Sequence, residues 1–450
     1  MVSRLQSAAR PTIVASGAVV AVALALVALS SPTLALLGLV GTVLLALVVL
    51  RLDLAVLAYV AVEPVGNLLP DVGGMSAVRL FGAALVLAWL ARLVLDSRPV
   101  AIGHRSLAAA AALTLVVLAS LALNPHGAAG IEVASRYLSY LAVLVVLVDS
   151  MRHRVSPTHV AQVFVWSCTA AAVGGLVVFL SQGGRAEGPQ EDPNDLAFFL
   201  VAAVPFAVVA MRGSRRRTVL YGTALVLLLV GTAATFSRGA LLGLVAAALV
   251  ALFLGILRPR QVVTGLAVTA VALGAVWASA PEIVDRSLGE KQTVAQSNID
   301  SRFTSWRLAA EMTLDHPFLG TGPGGFGVNF DRYEGRASFD PTHLDVAHQM
   351  LLDVSSELGL LGLAAFVVLL ASGLGAAWRA ADLPRSPRAD DERRRLLGAA
   401  VVTSFAATLV AAIFLSEQYY LPLWLLVALG TAIDPRWSRP AERTPCVPSS

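Results

Sequence analysis

The sequence predicts an all-α protein that crosses a membrane many times. Of its 450 residues, 57% are hydrophobic and only 14% are charged, and the mean hydropathy is +0.76. A soluble domain carries about 25% charged residues, so this composition is typical of a polytopic membrane protein. Apolar runs of helical, bilayer-spanning length recur along the chain, and arginines gather between them.

We count about 14 apolar spans in the sequence. They lie near residues 12–30, 33–50, 54–70, 78–95, 106–123, 133–149, 160–181, 194–212, 218–235, 238–257, 262–280, 357–378, 397–416 and 418–434. The third and sixth are the weakest, because Glu63, Pro64 and Arg136 interrupt them. If two weak spans lie at the interface, about 12 remain and the parity is unchanged.

Basic clusters orient these spans. The clusters are both termini and the segments RPVAIGHR, MRHR, MRGSRRRT, RPR and PRSPRADDERRR. The positive-inside rule places all of them in the cytoplasm, and the alternation of 14 spans satisfies every one. Both termini are therefore expected in the cytoplasm, with the loop QGGRAEGPQEDPND, the turn FSRG, the segment from Pro281 to about His348 and the short EQYY outside.

This topology predicts four parts of the chain. They are N-terminal membrane helices (1–280), an extracytoplasmic catalytic loop with short helices (281–347), C-terminal membrane helices (348–434) and a cytoplasmic tail (435–450). Cys168 lies in an apolar span and Cys446 in the tail, which argues against a disulfide framework or a thiol metal cluster. Lys291 is the only lysine among 33 basic residues, so the abundance of arginine indicates genome composition, and we expect no nucleic-acid partner.

Arg238 is the only charge between Arg217 and Arg258. That interval of about 40 residues corresponds to roughly 60 Å of helix, twice the hydrocarbon thickness, so it contains two spans. Arg238 falls at the turn between them, where a guanidinium can reach the interface. A charge at the bilayer centre would instead cost several kcal/mol of free energy.

The segment DSRFTSWRLAAEMTLDHP predicts an amphipathic helix with Phe303, Trp306 and Ala310 on one face and a stop at the proline. Arg307 has Glu311 one turn later, which favours a surface ion pair. Arg302 has Trp306 in the corresponding place and is freer to meet a ligand, although the nearby Asp300 leaves a structural role open.

The run LGTGPGGFG matches the G-x-G-x-x-G pattern at Gly320, Gly322 and Gly325. We reject a dinucleotide fold, because a predicted helix precedes the run and Pro323 interrupts it. A backbone turn that returns the chain to the membrane surface is the interpretation we favour.

His348 stands at the start of the next span, on the predicted outer face. An ionisable group at the head of a membrane helix favours a general base. A metal site made of His343, Asp345 and His348 is the alternative, but the spacing lacks a strong ligand pattern such as H-x-x-x-H.

Four stretches in this order resemble the O-antigen ligase and polymerase family of bacterial envelope enzymes. They are RAEGPQEDPNDLAFFL, TFSRGALLGLVAAAL, SRFTSWRLAAEMTLDHPFLGTGPGGFG and AHQMLLDVSSELGLLGL, within residues 185 to about 363. The resemblance implies a membrane glycosyltransferase in the cytoplasmic (inner) membrane. Such an enzyme takes a glycan from undecaprenyl diphosphate and attaches it to an acceptor hydroxyl on a glycan or lipid, with inversion and without a metal or other cofactor.

The resemblance also implies site residues. Arg238 matches the SRG element, Arg302 the R-x-x-x-W element, and His348 the histidine after the long loop. Arg185 and Asn194 match a further loop that would contact the diphosphate or the glycan. Gln349 departs from the more usual Asn or Ser after the histidine, which bears on how the acceptor is positioned.

These residues suggest a mechanism. Arg238 and Arg302 would clamp the lipid diphosphate, because a guanidinium fork matches phosphate oxygens and offsets the charge that develops on the leaving group. His348 would take the proton from the attacking hydroxyl. Two alternatives stay open: a transporter of a lipid-linked glycan or anionic solute, and, within the family, a polymerase or a ligase. Transporters usually show inverted repeats and broken helices, and we find no internal symmetry.

Overall fold

The computed structural model describes residues 48–69, 76–96, 100, 103–190, 192–335 and 346–437, with the backbone alone for 285–300. Within these residues the chain is helical and contains no strand, which confirms the all-α polytopic prediction. The first predicted span and almost all of the second lie outside the described residues.

Fourteen α-helices follow one another in the described part of the chain. They are α1 (Leu52–Val62), α2 (Ala77–Asp96), α3 (Arg105–Leu123), α4 (Gly127–His153), α5 (Pro157–Gln182), α6 (Pro193–Ala210), α7 (Arg215–Ala234), α8 (Arg238–Phe253), α9 (Pro259–Ser279), α10 (Pro281–Asp315), α11 (Gly325–Glu334), α12 (Met350–Ala381), α13 (Ala389–Ala411) and α14 (Leu421–Ala432). Short 3₁₀ helices occupy Glu63–Leu68, Ala412–Phe414, Glu417–Tyr419 and Pro435–Trp437.

Nine of the described helices are long and apolar enough to span a bilayer, namely α2 to α7, α9, α12 and α13. Two further predicted spans form shorter apolar helices, the 16-residue α8 and the 12-residue α14. The weak third span forms the 11-residue α1 and then a 3₁₀ helix that begins at Glu63 and Pro64. The sixth span is continuous as α4, where Arg136 pairs with Glu132 at 2.7 Å.

The helices α6 and α14 form the interior of the bundle, since most of their side chains are buried. Around them pack α12 and α13, and α13 lies along the whole of α8. The helix α9 is different, because none of its residues is buried among the described ones. Its apolar surface is what a helix facing lipid requires.

Hydrogen bonds between connecting segments show that they collect at two ends of the bundle. One end, here called the histidine end, comprises residues 183–190, 192, 235–238, 346–349 and 412–420. The other, here called the opposite end, holds the starts of α5, α7 and α13. The 26 residues of α5 separate the two ends by about 39 Å of helix.

The helix α12 is broken at Gly359, whose φ of +67° is not helical. Four backbone groups at the break find partners in the segment after α10. The N–H groups of Thr321 and Gly322 donate to the carbonyls of Ser356 (2.8 Å) and Glu357 (3.0 Å). In return, the N–H groups of Leu360 (2.8 Å) and Leu361 (3.4 Å) donate to the carbonyls of Pro317 and Phe318.

The glycine run therefore does more than turn the chain. A Cβ atom on Gly320 would lie 2.3 Å from the carbonyl carbon of Glu357, and one on Gly359 would lie 2.4 Å from that of Phe318. Both glycines also have positive φ, so the two backbones can approach only because neither residue has a side chain. A helix, α10, precedes the run, in agreement with the rejection of a dinucleotide fold.

The predicted helix forms the last part of α10, which ends at Asp315. Its fully buried side chains are not those of the predicted apolar face, because Phe303 is 61% exposed, whereas Leu308, Ala309 and Met312 are fully buried. These three pack into a cluster with aromatic residues of α11. Phe303 instead lies edge-on to Trp306, with ring centroids 5.4 Å apart.

We expect Gly359→Ala to lower the free energy of unfolding by about 1 to 3 kcal/mol or more. The new Cβ atom would clash with the backbone of Phe318, and alanine is strained at this positive φ. Thermal unfolding in detergent measures the effect. Gly265→Ala in α9 is the matched control, since a Cβ there meets nothing within 4 Å and should be neutral or stabilising. Equal unfolding midpoints for the two variants would contradict the assigned role of the break.

Candidate functional site

Arg238 is the first residue of α8 and is exposed at the histidine end. Its neighbours explain the rest of the SRG element. The Ser237 hydroxyl caps α8 by accepting from the N–H of Ala240 at 3.5 Å. A Cβ atom on Gly239 would lie 3.2 Å from the carbonyl oxygen of Ala411, so glycine allows α8 to lie against α13. Arg238 is thus held at a fixed turn.

Arg302 is half-buried on α10 and reaches the end of α13. Its Nη1 donates to the carbonyl of Phe414 at 3.1 Å, and the ring of Trp306, one turn further, lies 6.4 Å from that of Phe414. By contrast, Arg307 is exposed and bonds Glu311 at 2.9 Å, which confirms the predicted ion pair. Of these two arginines, Arg302 is therefore the one at the histidine end.

Arg185 and Asn194 lie together, as the sequence prediction grouped them. The Nη2 of Arg185 donates to Oδ1 of Asn194 at 2.9 Å, and its Nε donates to the carbonyl of Thr235 at 2.7 Å. Thr235 ends α7 three residues before Arg238. Arg185 therefore joins the start of α6 to the turn that carries Arg238.

His348 lies two residues before α12 and has a φ of +52°, an unusual value for a residue with a side chain. Bonds on both sides hold this conformation. The N–H of Ala347 donates to Oδ1 of Asp353 at 3.2 Å, and the Gln349 side chain caps α12 by accepting from the N–H of Leu352 at 2.5 Å. Asn or Ser also favour this capping position, so Gln349 keeps the local function of the more usual residues.

Charges from three of the connecting segments interact with Arg302 of α10 at the histidine end. Burial lowers the pKa of Arg302, and nearby Arg238 lowers it further while Asp192 opposes the shift. Burial likewise lowers the pKa of His348, again with a contribution from Arg302 and opposition from Asp192. Burial also lowers the pKa of Arg185, next to Asp192 and Arg302. The site is therefore a cluster of arginines in which burial and a nearby positive charge favour the neutral form of the histidine.

Asp192 was not predicted as a site residue, although it lies in the quoted loop. Its Oδ1 caps α6 by accepting from the N–H of Asn194 at 2.6 Å. It is exposed and close enough to act on both Arg185 and Arg302, as well as on His348. The sequence around Asp192 is that of an ordinary helix cap. Its second role, as a charge near the arginines and His348, is visible only in the folded structure.

The segment Ser416–Tyr420 was also missed. Gln418 is fully buried and donates through Nε2 to Oδ2 of Asp353, the residue that holds the His348 segment. The hydroxyl of Tyr420 donates to Asp195. Burial raises the pKa of Glu417 well above its usual value, and the adjacent Asp195 carboxyl raises it further. The sequence signal was present in EQYY, whose polar residues interrupt two apolar spans.

No group of three potential metal ligands occurs among the described residues. His343 and Asp345 lie outside them, so the alternative metal site with His348 stays open. The candidate site that can be described is one of arginines, histidine and carboxyl groups.

The helices and this end cluster define a polytopic membrane protein with polar chemistry at the ends of its helices. The family model described as O-antigen ligase matches residues 223–367, about one third of the chain. This match supports an assignment of the chain to the O-antigen ligase family. The matched segment contains Arg238, Arg302 and His348, whereas Arg185 and Asn194 precede it. No curated protein matches the chain.

Asp353→Asn should destabilise the protein by about 1 to 3 kcal/mol, because an amide nitrogen would then face the amide of the buried Gln418. The double variant Asp353→Asn with Gln418→Glu restores a donor and acceptor pair and should recover stability. A double-mutant cycle on thermal unfolding measures the coupling. Additive losses would contradict a direct bond between the two side chains.

Proposed function

We propose that this protein transfers or polymerises a glycan from an undecaprenyl-diphosphate-linked donor onto an acceptor hydroxyl at the outer face of the cytoplasmic membrane. The O-antigen ligase domain supports glycan transfer of this general type. The observation that carries the proposal is the meeting at one end of the bundle of Arg238, Arg302 and His348, which are widely separated in the sequence.

The proposed diphosphate site consists of Arg238 and Arg302. The two guanidinium groups interact, so an anion between them would relieve their mutual repulsion. Arg302 is held to Phe414 by one nitrogen, which leaves the rest of its fork for phosphate oxygens. As the glycosidic bond to the diphosphate breaks, both charges would stabilise the leaving group.

His348 is the proposed general base. The lowered pKa of His348 favours the neutral imidazole, the state that can accept the hydroxyl proton. The fixed backbone between Ala347 and Gln349 would keep the ring in place. The attacking oxygen would then displace the diphosphate from the opposite face of the sugar, with inversion.

Contact of Arg185 and Asn194 with the substrate stays a prediction. Both make hydrogen bonds within the protein, so their first proposed role is to hold the wall of the site next to the Arg238 turn.

The proposed topology puts the histidine end outside the cell, with residues 281–347 as the extracytoplasmic loop and both termini in the cytoplasm. It is supported by the arginine clusters at the opposite end.

One feature favours the alternative that the protein is a transporter, because α12 is a broken membrane helix. In transporters, however, such a break leaves backbone groups to bind a solute. Here Thr321, Gly322, Leu360 and Leu361 supply the N–H groups that close the break against backbone carbonyls. This occupied backbone favours a structural break and therefore the transferase.

Ligase and polymerase share the proposed chemistry and differ in the acceptor. Envelope glycan from a strain that lacks the gene distinguishes them. Loss of polymer length would indicate a polymerase, whereas intact polymer retained on its lipid carrier would indicate a ligase.

The topology can be tested with single cysteines. In a Cys446→Ser background, where Cys168 is buried, Arg332→Cys should react with an impermeant thiol reagent in intact cells. Arg216→Cys, at the opposite end, should react only after the cells are permeabilised. If Arg216→Cys alone were labelled in intact cells, the orientation would be the reverse of the proposed one. That result would refute the extracytoplasmic site.

Separate roles are expected for the arginines and the histidine. Arg238→Ala should weaken donor binding by about tenfold or more, and Arg238→Lys should also be damaging because a point charge lacks the bidentate fork. His348→Ala should leave donor binding nearly intact and lower transfer by roughly 100-fold or more. Donor binding and transfer by purified protein in vesicles measure both effects.

Arg307→Ala is the matched control for these substitutions, since Arg307 is exposed and already paired. Normal transfer by the His348 variant would refute the assignment of the base. Chelators should change neither measurement. Transfer that EDTA abolishes and a divalent ion restores would instead revive the site of His343, Asp345 and His348.

The pH dependence of kcat/KM is expected to report His348. Transfer needs the neutral imidazole, so the rate should fall as the pH drops through the histidine pKa, below that of a solvated histidine. Asp192 opposes the lowering, so Asp192→Asn, which keeps the helix cap, should move the acidic limb to lower pH. Glu187→Gln in the same loop should not move it. A shift to higher pH in the Asp192 variant would contradict the proposal.

A further inference from the structure

Two arginine clusters that are far apart in the sequence meet at the opposite end of the bundle. Arg152, from the end of α4, and Arg393 and Arg394, from the first turns of α13, line one cavity of about 400 Å³. The hydroxyl-bearing residues Ser156 and Thr158, at the start of α5, line it as well. The cavity is therefore lined by three arginines and two hydroxyl-bearing residues, side chains of the kind that bind phosphate.

The side chains of this cavity are held to different degrees. Arg152 is fixed, because its guanidinium carbon lies 3.6 Å from the centre of the Trp437 ring and its Nη1 donates to the Trp437 carbonyl at 2.5 Å. Arg393 has a long, exposed contact of 3.4 Å with Asp390. Arg394 forms no ion pair with any residue that the structure describes. The positive charge of the cavity thus exceeds its one acidic lining residue.

The cavity also has apolar lining residues, Met151, Leu397, Ala432 and Ile433, from the ends of α4 and α14 and from α13. A soluble phosphate would use only the polar lining residues. A phospholipid would use both kinds, since its phosphate would meet the arginines and its glycerol and upper acyl carbons would meet apolar side chains.

We propose that this cavity binds the phosphate of an anionic phospholipid headgroup. The site is independent of glycan transfer, because α5 separates it from the histidine end by about 39 Å of helix. In the proposed topology it faces the cytoplasmic leaflet, where anionic lipids attract juxtamembrane arginines. The bound lipid would link the end of α4 to the start of α13.

Binding of fluorescent phosphatidylglycerol to the full chain in neutral detergent tests the site. The variant Arg393→Gln with Arg394→Gln should bind this lipid about 30-fold more weakly, equivalent to about 2 kcal/mol for two arginines near the headgroup. The matched control is Arg215→Gln with Arg216→Gln, a pair of exposed arginines at the same end but outside the cavity. The control should keep the affinity of the unmodified protein.

Unfolding midpoints verify that both variants are folded. The proposed site would be overturned if both double variants bound the lipid equally weakly, because the lipid would then respond only to general surface charge. It would also be overturned if neither variant lost affinity. Phosphatidylcholine and inorganic phosphate identify the ligand. Phosphatidylcholine should bind weakly, because its choline cancels the charge, and inorganic phosphate should compete only weakly. Inorganic phosphate that binds as tightly as the anionic lipid would overturn the lipid assignment in favour of a soluble phosphate.

Discussion

A backbone N–H or C=O group inside a membrane must find a partner in the protein, because hydrocarbon offers none. At the break of α12 at Gly359, four such groups find partners in the segment around Gly320. This exchange of backbone bonds fixes residues 317–322, which follow α10, against the bundle. Arg302 lies on the helix that leads into this attachment, and His348 lies at the start of the helix that is broken.

From this anchor, each element of the site follows by a local interaction. Asp353 lies six residues before the break and bonds both the N–H of Ala347 and the side chain of Gln418. The segment of Gln418 follows Phe414, whose carbonyl accepts from Arg302. The end of α13 in turn packs against α8 at Gly239, the residue after Arg238. Three candidate residues are thus connected through α12 and α13 by short contacts.

The sequence predicted the helical membrane class, because spans of apolar residues have a length that the bilayer sets. It also predicted Arg238 at a turn, from an interval long enough for two spans, and the Arg307–Glu311 pair, from the spacing along one helix. The fully buried side chains of α10 were not predicted, because the packing of Leu308 and Met312 on α11 decides which face is buried. Asp192 and the Ser416–Tyr420 segment were missed for a similar reason. Their relevance comes from contacts between distant segments, which one sequence cannot reveal.

Binding of the lipid diphosphate by the cationic cluster at the histidine end is the proposal on which the mechanism depends. A cryo-electron microscopy structure of the full chain with undecaprenyl diphosphate in a nanodisc would test this binding. We expect diphosphate density in contact with the guanidinium groups of Arg238 and Arg302, with His348 facing the position of the sugar. A diphosphate bound elsewhere, with the two arginines in contact only with protein or water, would contradict the proposal.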